Sequence, residues 1–135
     1  KRIPCLYNNN RIFMQLLIIN ILIYRLFMAL FEHVLVLKQE LSTSDLENEL
    51  KNHTDTITEL NGSIKYNESW GLRNLAYPIN NNKKAFYEFM NIEIPGENIK
   101  TLNSKLNLNE NVIRYLSVKV KEFGETPTTM LKEKE

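Results

Sequence analysis

The order in which extended and helical segments alternate along the chain is its strongest constraint on a fold. Residues 30–37, LFEHVLVL, are rich in Val and Leu, which is typical of a central strand buried on both faces. Ser42 and Asp45 then form a capping-box-like start, and Gly62 can end the helix that they begin. The apolar residues at helical spacing in between are Leu46, Leu50, Ile57 and Leu60. The first two predicted elements are therefore a central strand and a helix that is buried on one side.

A long extended segment comes next, over residues 64–79. Gly71 within it favours a bulge or a close backbone approach, and Pro78 favours an edge position, because proline has no N–H for a neighbouring strand. Residues 80–84, NNNKK, have the composition of a turn, and residues 85–94, AFYEFMNIEI, are aromatic and β-branched. The sequence thus predicts a hairpin whose first strand is long, irregular and at an edge of the sheet.

A second helix and a last strand complete the order. Pro95 and Gly96 end the third strand, and Glu97 is expected in the first turn of the helix, where an acidic side chain is favourable. The helix is predicted to bury Ile99, Leu102 and Leu106. Residues 107–111 then form a polar connection to a strand over residues 112–120.

The resulting order, βαββαβ, contains two split βαβ units and is the pattern of the ferredoxin-like sandwich. This α+β fold has a four-stranded antiparallel sheet with two helices on one face, because right-handed crossovers place both helices on the same side. The opposite face is left open. An open sheet face with aromatic and basic side chains suits RNA or another protein, so the architecture narrows the class of function without choosing within it.

Charge is distributed unevenly along the chain. The first 27 residues carry four basic side chains and no acidic one, whereas residues 28–135 carry 13 basic and 16 acidic side chains, a net charge of −3. A nucleic-acid ligand would therefore have to be held by a local cluster of Lys and Arg and not by a general basic field. The single cysteine, Cys5, lies before residue 28, which leaves the rest without a thiol for a disulfide, a nucleophile or a metal.

The first 27 residues differ in kind from the rest of the chain. Residues 12–27, IFMQLLIINILIYRLF, are nearly all apolar, which allows a marginal transmembrane helix or a signal peptide that lacks an Ala-x-Ala-like cleavage site. The third interpretation, which we favour, is an upstream extension that is not part of the working protein. On that interpretation residues 28–122 form the ferredoxin-like domain, and residues 123–135 form a flexible polar tail.

Five stretches of the chain carry a family resemblance. The central one is the segment ESWGLRNLAYPI, residues 68–79. The others are MALFEHV at 28–34, KAFY at 84–87, MNIE at 90–93 and LNENVIR at 108–114. In this order and spacing they span almost the whole of residues 28–120, and they resemble bacterial small-subunit ribosomal protein six.

The resemblance implies a structural protein of the cytoplasmic ribosome. Members of this family pair with small-subunit ribosomal protein eighteen, and the pair binds the central domain of small-subunit ribosomal RNA during assembly of the platform. Carried over by position, the residues implied in RNA binding are Arg73, Lys83, Lys84 and Arg114. Those implied in the protein-partner edge are Trp70, Leu75, Tyr77 and Ile79. Asn74 and Asn107 depart from the family, since Asn107 stands where a basic residue is common, and both departures thin the RNA patch.

The chemistry of these residues is compatible with those roles and also with ordinary ones. Arg73 carries a planar guanidinium suited to bidentate phosphate or guanine contact, and Lys83 and Lys84 at a hairpin tip can reach a phosphate backbone. Tyr and Trp on an edge can anchor a partner. The apolar residues among them can equally be core, and the two lysines a solvated turn.

Residues for catalysis, a metal or a cofactor do not stand out. His33 and His53 have no further ligand at metal spacing, Glu32 and Glu68 fit edge or salt-bridge positions, and the glycines are isolated. We therefore expect neither an enzyme nor a cofactor nor a small-molecule substrate. Two alternatives remain open: an interaction domain that residues 1–27 anchor to a membrane, and a small acylphosphatase-like enzyme on the same fold.

Overall fold

The computed structural model describes residues 3–128, with side chains for residues 10–128. Residues 1–2 of the predicted upstream extension and 129–135 of the predicted tail lie outside the described residues. The elements are helix α1 Ile3–Phe27, strand β1 Met28–Lys38, helix α2 Thr43–Glu59, strand β2 Ser63–Ile79, strand β3 Asn82–Pro95, helix α3 Ile99–Leu108 and strand β4 Val112–Val120. From β1 to β4 the order is the predicted βαββαβ.

The four strands form one antiparallel sheet in the order β2-β3-β1-β4. β1 is central and β2 lies at an edge, as the sequence predicts. The ferredoxin-like α+β fold is therefore confirmed. Antiparallel pairing also brings the end of β1, the end of β2 and the starts of β3 and β4 to the same end of the sheet, which we call the hairpin end after the β2–β3 turn.

The core lies between one face of the sheet and helices α2 and α3. Alternate residues of β1 point toward the helices, as do the residues of β3 that pair with them. The buried core residues are Ala29, Phe31, Leu35, Ile57, Met90, Ile92, Ile94, Leu102 and Leu106. Leu46, expected on the buried stripe of α2, is only partly buried. The sheet face that points away from α2 and α3 is called the open face.

Local signals at the ends of elements are only partly as predicted. The Ser42 hydroxyl accepts a hydrogen bond from the Asp45 N–H at 3.2 Å and caps α2 as expected. Glu97 is wrong as a first-turn residue, because α3 begins only at Ile99. Asn98 N–H donates instead to the Pro95 carbonyl, so a turn takes up the residues that were expected to open the helix.

The predicted turn over residues 80–84 is shorter in the structure. Asn80 and Asn81 alone form it, both with positive φ, of 49° and 65°, a conformation that asparagine tolerates better than most residues. Lys83 and Lys84 already belong to β3. The two lysines are therefore strand residues beside the hairpin tip and not turn residues.

Helix α1 continues into β1 without an intervening loop. Gly96 N–H donates to the Phe27 carbonyl at 3.2 Å, which ties the junction to the end of β3. The side chains of residues 10–27 are exposed, and Asn10–Phe27 is long and apolar enough to cross a membrane by length and composition. A signal sequence near an N-terminus meets the same criteria, so length and composition alone do not identify this helix as a membrane span.

Two buried histidines join α2 to the sheet. The rings of His33 in β1 and His53 in α2 stack with their centroids 5.0 Å apart, and His33 Nδ1 lies 2.6 Å from the Ser117 hydroxyl of β4. Burial, together with the charge of His53, lowers the pKa of His33 to about 3. Burial also lowers the pKa of His53 to about 4. Both rings are thus neutral near pH 7 and act as packing residues.

The histidine pair predicts a loss of stability on mild acidification. Because both folded-state pKa values lie below the ordinary 6.5, the unfolded chain binds more protons, and stability falls as the pH drops from 6.5 toward 4. His53→Phe keeps a ring for stacking but does not titrate. Its free energy of unfolding, measured with denaturant, should fall between pH 7 and pH 5 by about 2 kcal/mol less than that of the wild type, because one histidine that the unfolded chain protonates is gone. Identical slopes would contradict the assignment.

Candidate functional site

Gly71 sets the geometry of the segment that carries the resemblance. Its φ of 72° lies in the left-handed region that glycine adopts without strain, and the register of β2 against β3 shifts between Ser69 and Gly71. The register shifts again beyond Asn74. The predicted bulge and the irregular edge strand are therefore both present.

Trp70 lies on the open face of the sheet beside this bulge. Its ring stacks on Phe89 and Tyr87 of β3, with centroids 5.7 and 6.2 Å away. Phe89 and Tyr87 alternate along β3 with Met90 and Glu88, which point toward the helices. Trp70 is partly buried in this cluster, so much of its surface is already used within the chain.

Glu68 is the centre of a hydrogen-bond network on the same face. Glu68 is only 3% exposed, and its carboxylate accepts bonds from the Tyr66 hydroxyl at 2.8 Å and from Trp70 Nε1 at 2.9 Å. Thr128 donates its N–H at 2.6 Å and its hydroxyl at 2.5 Å. Burial acts to raise the pKa of Glu68, but the bonds from Thr128, Trp70 and Tyr66 outweigh it and hold the pKa below its ordinary value. Sequence reasoning treated Glu68 as an edge or salt-bridge residue and missed this role, because Thr128 is 60 residues away.

The rest of the predicted partner edge bulges out of the sheet. Asn74 pairs with Lys84 and Ile79 with Asn82, so residues 75–78 of β2 face the single residue Lys83 of β3. In this bulged segment Tyr77 is 60% exposed, whereas Leu75 and Ile79 are partly buried. The structure thus separates the four predicted edge residues into one exposed aromatic side chain and three that pack against the chain itself to varying degrees.

The four basic residues predicted for RNA all lie at the hairpin end of the sheet. Lys83 and Lys84 begin β3, Arg114 lies near the start of β4, and all three are exposed. Arg73 is partly buried, and its Nε donates to the Trp70 carbonyl at 3.2 Å. Lys38, at the end of β1, adds a fifth basic residue that sequence reasoning missed. Only its pairing with Ala85 shows that it belongs to this cluster.

A polar recess adjoins Arg114 at this end. It has a volume of about 480 Å³ and lies between Asn80 of the hairpin turn and the loop that connects α3 to β4. Asn107, Asn109 and Glu110 supply much of the wall. The loop is fixed to α2, because Asn109 and Asn111 donate to the two carboxylate oxygens of Glu49 at 2.8 and 2.7 Å. Amide and guanidinium donors of this kind suit phosphate oxygens and base edges.

Among the side chains of the described residues, no three of His, Cys, Asp or Glu lie close enough to hold a metal ion. Two further lysines form ion pairs. Lys105 Nζ, on the exposed side of α3, lies 4.0 Å from Glu59 Oε2, and Lys65 Nζ lies 3.3 Å from Glu93 Oε2. These contacts are surface ion pairs of modest strength.

The Glu68 network predicts a specific loss of stability. In Glu68→Gln an amide replaces a carboxylate that accepts four bonds, and its NH₂ group must face other donors. We expect the free energy of unfolding at pH 7 to fall by about 1–3 kcal/mol in denaturant titrations. Because the folded-state pKa is lowered, the difference should be full above the ordinary pKa of 4.5 and shrink as the pH falls through the folded-state value.

The matched control for that change is Glu47→Gln, which alters an exposed residue of α2. It should leave stability within about 0.5 kcal/mol of the wild type. Equal losses in both variants would mean that the Glu68 bonds do not stabilise the fold.

Comparison with known sequences identifies the family. The sequence profile of the family described as Ribosomal protein S6 matches residues 30–119. Small ribosomal subunit protein bS6 of Rickettsia prowazekii is 39% identical over 105 residues, which are 78% of this chain and 87% of that protein. The bS6 protein of Zymomonas mobilis is 38% identical over 105 residues, 78% of this chain and 85% of that protein.

A solved structure agrees at the level of the fold. The crystal structure of 30S ribosomal protein S6 from Thermotoga maritima matches with a TM-score of 0.66 and 20% identity, over 69% of this chain and 88% of that one. At this identity the likeness concerns the architecture alone. The sequence matches go further, and they set aside the acylphosphatase-like alternative. The chain belongs to the ribosomal protein S6 family and is accordingly a non-enzymatic, structural component of the small subunit of the cytoplasmic ribosome.

Proposed function

We propose that this chain binds the central domain of small-subunit ribosomal RNA together with ribosomal protein eighteen during assembly of the platform. The observation that carries the proposal is the gathering of Arg73, Lys83, Lys84 and Arg114 at the hairpin end of an otherwise mildly acidic domain. The family match over residues 30–119 contains both this cluster and the bulged edge. We assign the work to the domain of residues 28–122 for the same reason.

The RNA contacts are proposed at the exposed basic residues of the hairpin end. Residues 28–135 carry a net charge of −3, so attraction for phosphate must come from a local group of cations. Lys83, Lys84 and Arg114 are able to reach a phosphate backbone, since their side chains are exposed. Arg73 bonds to the Trp70 carbonyl, which orients its guanidinium and limits its reach. Arg73 therefore adds positive charge to the cluster, while the exposed lysines and Arg114 are better placed to contact phosphate directly.

The recess beside Arg114 adds a place for a nucleotide that leaves the stack. Its wall of Asn side chains provides both donors and acceptors, which base edges require. The loop that forms it is braced by Glu49. A braced wall lowers the ordering cost of binding.

The protein partner is proposed at the edge strand β2, around the bulged segment of residues 75–78. Tyr77 is the most exposed aromatic side chain of β2, and Leu72 on the same strand is 47% exposed. A tyrosine supplies a large contact area at low conformational cost, together with a hydroxyl for hydrogen bonding. Trp70 is stacked within the chain and is more suitable as support beneath this edge than as the anchor itself.

The RNA proposal predicts a change in salt dependence. The double variant Lys83→Ala/Arg114→Ala should weaken binding of the chain with ribosomal protein eighteen to a central-domain RNA fragment, in filter binding across a series of KCl concentrations. The slope of log K against log salt should fall by about one for each phosphate contact that is lost. The thermal midpoint should stay unchanged, because both side chains are exposed.

The control for this experiment is Lys51→Ala/Lys100→Ala, which removes two exposed lysines from helices α2 and α3. It loses the same net charge at a different place. Equal slopes for the two double variants would show that the hairpin end makes no special contact with RNA.

The partner proposal predicts a loss of affinity at Tyr77. Tyr77→Ala should weaken the complex with purified ribosomal protein eighteen by more than about 1 kcal/mol in calorimetry without RNA, because it removes the exposed anchor. Leu108→Ala removes a side chain that is 84% exposed at the end of α3 and should leave the affinity unchanged. If the two variants behave alike, the bulged edge is not the docking site.

A further inference from the structure

The open face of the sheet contains a cavity that neither the proposed RNA contact nor the proposed protein contact uses. It has a volume of about 180 Å³ and lies between the sheet and the chain segment that comes after β4. The sheet residues that line it are Glu32, Trp70, Phe89 and Asn91, and the roof comes from residues between 124 and 128. One water takes up roughly 30 Å³ of liquid, so the cavity has room for a small side-chain group.

The roof is held at two points. Gly124 N–H lies 3.4 Å from Glu32 Oε1, and Thr128 donates to the buried carboxylate of Glu68 through its N–H and its hydroxyl. The roof is therefore fastened strongly at Thr128 and only weakly at Gly124. The weak end is the one that can give way to admit a ligand beside Glu32.

The cavity holds acceptors that lack donors. Asn91 is 2% exposed, and its Oδ1 is buried without a hydrogen-bond partner among the described residues. An acceptor that is buried in this way costs stability unless a ligand or a water supplies an N–H or O–H group. Within the described part of the chain, the Glu32 carboxylate beside it accepts only the long bond from Gly124. Asn91 Oδ1 and the Glu32 carboxylate would therefore both be satisfied by a ligand that carries several N–H or O–H donors.

The charge of the lining residues and the aromatic ring of Trp70 favour a cationic ligand with a planar group of hydrogen-bond donors. The lining residues include the carboxylates of Glu32 and Glu125 and, among the described residues, neither Lys nor Arg. Phosphate would be repelled there. A guanidinium presents five donors in one plane, pairs with carboxylates and stacks on indole rings. Trp70, which lies nearly parallel to Phe89 at 8°, gives the cavity such a ring.

We propose that this cavity binds an arginine side chain of a basic partner protein, with the guanidinium against Trp70 and its N–H groups toward Glu32 and Asn91. The site lies on the open face, and its lining includes neither Tyr77 nor any basic residue of the hairpin end. It therefore stands apart from the proposed binding of ribosomal RNA and of ribosomal protein eighteen. Either proposal can fail without the other.

The test uses the full chain and its single tryptophan. Because Trp70 is the only tryptophan in the sequence, its fluorescence reports on the cavity directly. The probe is N-acetyl-arginine amide, titrated at constant ionic strength with KCl. We expect a saturable fluorescence change with this probe and none with the neutral citrulline analogue, since the urea group of citrulline keeps the shape but loses the charge.

Variants locate the binding. Glu32→Gln should weaken the apparent affinity for the arginine probe about fivefold, and Glu125→Gln, on the exposed roof, should weaken it in the same direction. Glu40→Gln removes a carboxylate that is exposed elsewhere and should leave the affinity unchanged. Glu125→Gln keeps the test valid if Glu32→Gln lowers the thermal midpoint, because the side chain of Glu125 is exposed and contributes little to folding.

Three results would overturn the proposal. The first is an absence of any saturable change with the arginine probe. The second is a response to guanosine monophosphate that exceeds the response to arginine, which would make the cavity a nucleobase site. The third is arginine binding that appears only in Lys132→Gln/Lys134→Gln, which would mean that the chain's own lysines occupy the cavity.

Discussion

The burial of both helices on a single face of the sheet is the constraint on which the rest of this structure depends. Phe31, Leu35 and Ile92 of the central strands meet Ile57 and Leu102 of the helices, and burial of this apolar surface supplies the main driving force for folding. Helices placed on one side leave the other side of the sheet to side chains that need no helix over them. The binding surfaces proposed for this chain exist because half of the sheet is not used for the core.

Much of the fold can be predicted from the sequence because the relevant signals are local. The Val- and Leu-rich run of β1, the capping pair Ser42 and Asp45, and Gly71 with its bulge each act within a few residues. The signals that failed involve competition between neighbouring turns. Glu97 was expected inside a helix, but the Asn98 hydrogen bond to Pro95 completes a turn first. Two asparagines with positive φ suffice for the hairpin turn, which leaves its lysines in the strand.

The candidate site is predictable in part for a topological reason. An antiparallel βαββαβ sheet brings the ends of β1 and β2 to the starts of β3 and β4, so basic residues that are distant in sequence collect at one end. What the sequence does not reveal is which side chains are already engaged. Arg73 is bonded to a backbone carbonyl, Trp70 is stacked on Phe89, and Glu68 is bonded to Thr128. The stacking joins residues of two strands, and the Glu68 bonds join β2 to Thr128, 60 residues further along the chain, so a local pattern carries no record of them.

The bulged segment of β2 also bears on the solubility of the chain. A sheet edge with regular, unpaired N–H and C=O groups is a template for a strand of another molecule, and proteins that expose such edges tend to aggregate. Here residues 75–78 depart from the regular ladder, and Pro78 has no N–H to offer. A second molecule could therefore not extend the sheet in register along this part of the edge. The same irregularity that displays Tyr77 therefore blocks strand addition along residues 75–78 of β2.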